Sequence, residues 1–118
     1  MKLDALAEQM GAFIVSGREP HRVEISRFYA DDKISELLTA ACGKTLVVSR
    51  LLNPHILRVA ELIDVPAICL IDNLTPEPEM LSAAAERGTA LVISPLDRAG
   101  TLKCLYQCLG LEARLRHE

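Results

Sequence analysis

Three short runs constrain this chain more than anything else in it. Residues 45–48 (TLVV), 67–71 (AICLI) and 90–93 (ALVI) are of strand length and show no polar alternation. A strand exposed on one face alternates apolar with polar residues, so uninterrupted runs predict strands buried on both faces. Each run is followed by a helical pattern. Asn53-Pro54 joins a capping residue to a proline at the first helical position, ahead of Ile56, Val59, Ala60 and Ile63 at helical spacing. Thr75-Pro76 repeats the signal ahead of Leu81, Ala84 and Ala85, and Gly88 supplies the stop. Asp97 caps a last helix that runs to about residue 109. Strand and helix in strict alternation predict parallel neighbours or near-neighbours joined by right-handed crossovers.

The flanking segments extend this core. Leu3, Leu6, Ala7 and Met10 form a helical stripe closed by Gly11, and residues 12–15 read as a short apolar strand. Val23 and Ile25 alternate with Glu24 and Ser26, which predicts a half-exposed strand over residues 23–26. Asp31-Asp32 then caps a helix built on Ile34, Leu37, Leu38 and Ala41, with Gly43 as its stop. The expected architecture is one three-layer α/β/α domain with a mostly parallel sheet of about five strands. It occupies residues 1–110, with a polar tail over 111–118. A chain of 118 residues matches the size of one domain.

Composition removes several function classes. The net charge is −3, the aromatic share is 3%, and no two lysines or arginines are adjacent. A nucleic-acid surface needs clustered cations and, for single strands, stacking aromatics, so none is expected. No apolar stretch approaches the roughly 20 residues that span a bilayer, and the protein is expected to be cytoplasmic. Half the residues are hydrophobic, which is rich for a small monomer. The last helix carries apolar side chains over a wide arc (Leu102, Cys104, Leu105, Tyr106, Cys108, Leu109), and pairing as a homodimer would cover it. That helix and residues 23–26 are the expected interface.

The chemistry-bearing patterns in the chain are mostly incomplete. Gly43-Lys44-Thr45 matches the tail of a phosphate-binding loop, but position 38 is Leu where the motif needs glycine. Asp31-Asp32 would need a third aspartate after residues 45–48 and a lysine after 90–93 to resemble a phosphorylatable pocket. The chain offers Ser49 and Ser94-Pro95 there. The histidines at 21, 55 and 117 are scattered, and no G-x-S-x-G or H-E-x-x-H pattern occurs. The four cysteines lack paired metal-ligand spacing, so no metal or cofactor is expected. Cys104 and Cys108 share one helix face, supply only two ligands, and read as part of the apolar arc.

One constellation remains. Ligands of parallel α/β sheets settle outside the carboxyl ends of the strands. Those ends carry Ser49, Arg50, Asn53, Asp72, Asn73, Ser94, Asp97 and Arg98. Arg50 and Arg98 suit an anionic group, and Asn73 or Asp97 a sugar or base edge. The alternative is that these residues are only caps and solvated loops.

The runs TLVVSRLLNPHILRVA over residues 45–60, PAICLI over 66–71 and ALVISPLD over 90–97 resemble DRTGG domains, and the likeness extends from the first helix to about residue 109. These domains are similar in fold to the N-terminal domain of HPr kinase/phosphorylase. They occur as regulatory inserts in phosphotransacetylases and CBS-containing pyrophosphatases, and as freestanding small proteins, some encoded beside iron-only hydrogenases. The resemblance implies a non-catalytic regulatory or protein-interaction module. It leaves open a sensor for a nucleotide or phosphorylated metabolite, and an accessory protein of a redox enzyme such as an iron-only hydrogenase. The chain departs from the pattern at both signature positions. Leu52-Asn53 stands where the family has Asp-Arg, and Ile71-Asp72-Asn73 where it has Thr-Gly-Gly. Asp and Asn tolerate left-handed backbone, so the second turn is expected to keep its shape.

Overall fold

The computed structural model describes residues 1–16, 19–30, 43–50 and 55–114. The helix expected between the Asp31-Asp32 cap and the Gly43 stop, the Asn53-Pro54 cap, Cys42 and His117 lie outside the described residues, Gly43 itself excepted. Five strands are formed: β1 (Phe13–Ser16), β2 (Arg27–Tyr29), β3 (Thr45–Ser49), β4 (Ala67–Leu70) and β5 (Ala90–Ile93). They make one sheet in the order β1-β5-β4-β3-β2. The neighbours from β2 to β5 are parallel, and β1 runs antiparallel to β5. Four helices are described: α1 (Leu3–Met10), α2 (His55–Leu62), α3 (Pro78–Arg87) and α4 (Arg98–Leu109).

The uninterrupted apolar runs are explained by two packed faces. Leu46 and Val48 of β3, Cys69 of β4 and Val92 of β5 join Leu3, Leu6 and Met10 of α1 and Leu105 of α4 in one core. Val47, Ile68, Leu70 and Leu91, the alternate residues, pack with Ile56, Leu57 and Ala60 of α2 and Met80 and Ala84 of α3. Every residue of β3, β4 and β5 is buried, as strands covered on both sides require. The domain is thus a three-layer α/β/α sandwich.

Three expectations shift in detail. The alternation over residues 23–26 is real but does not mark a sheet strand. The Leu3 amide donates to the Val23 carbonyl at 2.8 Å and the Ile25 amide to the Met1 carbonyl at 2.8 Å, with Lys2 opposite Glu24. Ile25 therefore turns inward, while Glu24 faces the Met1 ammonium at 2.8 Å and Lys2 Nζ at 3.3 Å. Contact with these two cations, the ammonium first, holds the Glu24 carboxyl below its ordinary range. The sheet strand is the next segment, β2, where Phe28 faces one core and Tyr29 the other. Three residues are too few for a period to show in sequence.

Second, α3 starts at Pro78 behind Glu77, not at Thr75-Pro76. The segment Thr75-Pro76-Glu77-Pro78 places two prolines two residues apart, and either satisfies the first-turn preference. Third, the apolar arc of α4 finds much of its cover within the chain. Leu105 is buried, and Leu102, Cys104, Tyr106, Cys108 and Leu109 are half-buried against the core shared with α1. Tyr106 meets Phe28 edge to face, with centroids 5.2 Å apart. Large apolar side chains are exposed elsewhere, including Phe13 at 64% and Val15 at 42% on β1.

Candidate functional site

Parallel strands deliver all their carboxyl ends to one rim, so residues distant in sequence meet there. The ends are Tyr29 for β2, Ser49 for β3, Leu70 for β4 and Ile93 for β5. Hydrogen bonds tie the loops beyond them together. The Ser94 amide donates to the Leu70 carbonyl at 2.7 Å, and the Ile71 amide to the Ser49 carbonyl at 3.4 Å. The Asp72 amide donates to the Leu96 carbonyl at 2.8 Å and the Asn73 amide to the Ser94 carbonyl at 2.9 Å. Asp72 and Asn73 reach these partners with φ of 57° and 53°. Both are left-handed, the geometry that short polar side chains tolerate best after glycine.

The side chains divide into those that build the rim and those that face outward. Ser94 is fully buried, and its Oγ lies 2.9 Å from Thr101 Oγ1 while accepting from the Leu96 amide at 3.2 Å. Ser49 is also buried. Asp97 caps α4, its Oδ1 accepting from the Gly100 amide at 2.7 Å. That carboxylate occupies the positive end of the α4 dipole, a place an anionic ligand would otherwise favour.

The two arginines reach across the rim. Arg50 Nε donates to Asp72 Oδ2 at 2.9 Å, and its Nη2 approaches the same oxygen. Arg98 donates through Nη2 to the Ala30 carbonyl just beyond β2. Asn73, Asp97 and Arg98 are exposed, and Asp72 is half-exposed. The structure thus brings Ser49, Arg50, Asp72, Asn73, Ser94, Asp97 and Arg98 to one edge of the sheet, while Asn53 lies outside the described residues. An incoming anion would meet guanidinium groups already engaged with a carboxylate and a carbonyl, so binding there is an exchange of partners. Such exchanges at exposed ion pairs cost little, because exposed pairs are worth about 0–1 kcal/mol.

Two contributors were not singled out from sequence. Thr101 completes the buried hydroxyl pair with Ser94, and a threonine one turn into a capped helix gave no cue to its partner. Gly100 is the other. A β-carbon there would stand 3.1 Å from Asp97 Oδ1 and 3.3 Å from Leu96 Cβ, so the cap closes tightly over the glycine.

Among the described residues, no three or more His, Cys, Asp and Glu side chains are grouped so as to hold a metal ion. No described helix is long and apolar enough to cross a membrane. No protein-family model and no curated protein matches the chain. The fold does match a solved structure, the CBS and DRTGG domains of the regulatory region of Clostridium perfringens pyrophosphatase, complexed with its activator diadenosine tetraphosphate. The TM-score is 0.72 with 15% sequence identity, over 99% of this chain and 51% of that one. The chain therefore spans about half the length of that structure and shares the fold of the matched half.

Proposed function

We propose that this chain is a non-catalytic regulatory module of DRTGG type, covering residues 1–110. One observation carries the reading: 99% of the chain takes the fold of about half of the regulatory region of a pyrophosphatase. The strand-end rim supports it from the chemical side. Its buried hydroxyls and turn amides bond to one another, which suits a scaffold for recognition more than a reaction centre.

The more specific reading is a sensor for a nucleotide or phosphorylated metabolite at that rim. It is favoured by the presence of Arg50 and Arg98 beside Asn73 and Asp97, cations for phosphate next to groups that can bond a sugar or base edge. Isothermal titration with diadenosine tetraphosphate, ATP and AMP tests it. Saturable binding that Arg50→Ala or Arg98→Ala weakens at least about tenfold, the loss of one charge-assisted bond, is the expected result. Binding indifferent to both substitutions would remove the rim from the account. No binding at all would leave the module recognising a protein surface instead.

A further inference from the structure

Away from the rim, α4 carries two thiols that the regulatory reading does not use. Cys104 and Cys108 stand one helical turn apart and project from the same side. Both are half-buried in the seam where α4 packs on the core shared with α1. Cys104 Sγ lies 3.5 Å from the Gln9 carbonyl oxygen of α1.

Three outcomes are open to such a pair, and geometry separates them. A disulfide brings its two Cβ atoms to about 3.5–4.5 Å. Positions i and i+4 of a helix hold theirs about 5–6 Å apart, so closing that bond would distort the last turns of α4. A structural zinc site takes four ligands, and among the described residues no third His, Cys, Asp or Glu joins the pair. A three-coordinate thiophile needs only two thiols and carries its own third group. With sulfur bonds of about 2.3 Å, the scale of zinc–thiolate bonds, and the bent angle of a three-coordinate centre, one such atom bridges sulfurs roughly 3.5 Å apart. Side chains anchored at helical spacing reach that separation without moving the backbone.

Charge narrows the choice further. Copper(I) held by two thiolates leaves a net negative charge in an apolar seam, and desolvating charge is costly. A trivalent arsenic adduct is neutral. We propose that Cys104 and Cys108 form a dithiol site for trivalent arsenic, as arsenite or an organoarsenical. With arsenite, As(OH)3 and two thiols give (RS)2As–OH and two waters. Two As–S bonds form, two As–O and two S–H bonds break, each thiol proton leaves with a hydroxyl oxygen as water, and arsenic stays trivalent throughout.

The test uses the reduced full chain and phenylarsine oxide, whose single oxygen leaves as one water when both thiols bind. One arsenic should bind per chain and protect two thiols from Ellman's reagent, with dimercaptopropanol restoring both. Cys104→Ser and Cys108→Ser should each weaken binding at least about 100-fold, since each removes the advantage of a second tethered thiol. Cys42→Ser and Cys69→Ser should bind as the parent chain does. Binding that survives either α4 substitution, or no stoichiometric binding to the parent chain, overturns the proposal. Circular dichroism of each variant separates a lost site from a lost fold. The outcome is independent of nucleotide binding at the rim.

Discussion

Cys69 lies at the centre of β4 with no exposed surface, between the helices of one face and the strands on either side. Burial pushes its thiol up to about 12 from an ordinary 9.0. The folded state therefore keeps its proton where the unfolded chain would lose it. The sign follows directly: this contribution is fully present below pH 9 and is lost as the pH rises from 9 toward 12. Urea midpoints measured at intervals from pH 8 to 11 should fall, and Cys69→Ala should flatten that fall while lowering stability near pH 8 by opening a small cavity. An unchanged slope in the variant would show that other groups dominate the alkaline loss. Not every residue was as readable as Cys69, whose apolar neighbours announced burial. The left-handed pair Asp72-Asn73 follows from the resemblance, which puts a glycine turn there, together with the tolerance of Asp and Asn for that backbone. The engagement of Arg50 with Asp72 was not legible, because 22 residues separate them and only the sheet brings them together.

Among the elements, α4 shows the clearest link from sequence to geometry. Its position in the sequence makes Asp97 the cap, and its carboxylate accepts from the amide of Gly100. Replacing Asp97 with Ala should cost about 1 kcal/mol, read as a lower urea midpoint with unchanged slope. A loss near zero would mean that the first turn of α4 is held by packing and by the Ser94–Thr101 contact. The three buried strands and the helix after each were legible because burial on two faces leaves an unmistakable run of apolar residues. β2 was missed for a physical reason. It is three residues long, one residue facing each core in turn, and the alternation just before it belongs to pairing with the first residues of the chain. The start of α3 was displaced by a second proline that fits the same rule.

At the scale of the molecule, one sheet edge is lined by the segment after α4, and among the described residues no further strand pairs with the other edge. The Phe28 amide of β2 donates to the Ala113 carbonyl at 3.0 Å, so the segment after α4 lines that edge. β1, the other edge, carries no charged residue and exposes Phe13 and Val15. Self-association remains our proposal on composition and exposed apolar surface. Light scattering at micromolar concentration should report about twice the 12.9 kDa chain mass, and a single chain mass would refute it.

The location of the candidate site was legible because parallel strands place their carboxyl ends together, whatever the residues there. Its internal bonding was not legible. Ser94, Asp72 and Asn73 spend their polar groups on one another's loops, a matter of tertiary geometry. The most direct measurement is a two-dimensional amide NMR titration of the labelled chain with diadenosine tetraphosphate. The account predicts shifts concentrated at residues 49–50, 72–73 and 94–98, on the rim where the four parallel strands end. Shifts confined to other residues, or none at millimolar nucleotide, would contradict a nucleotide site at the rim.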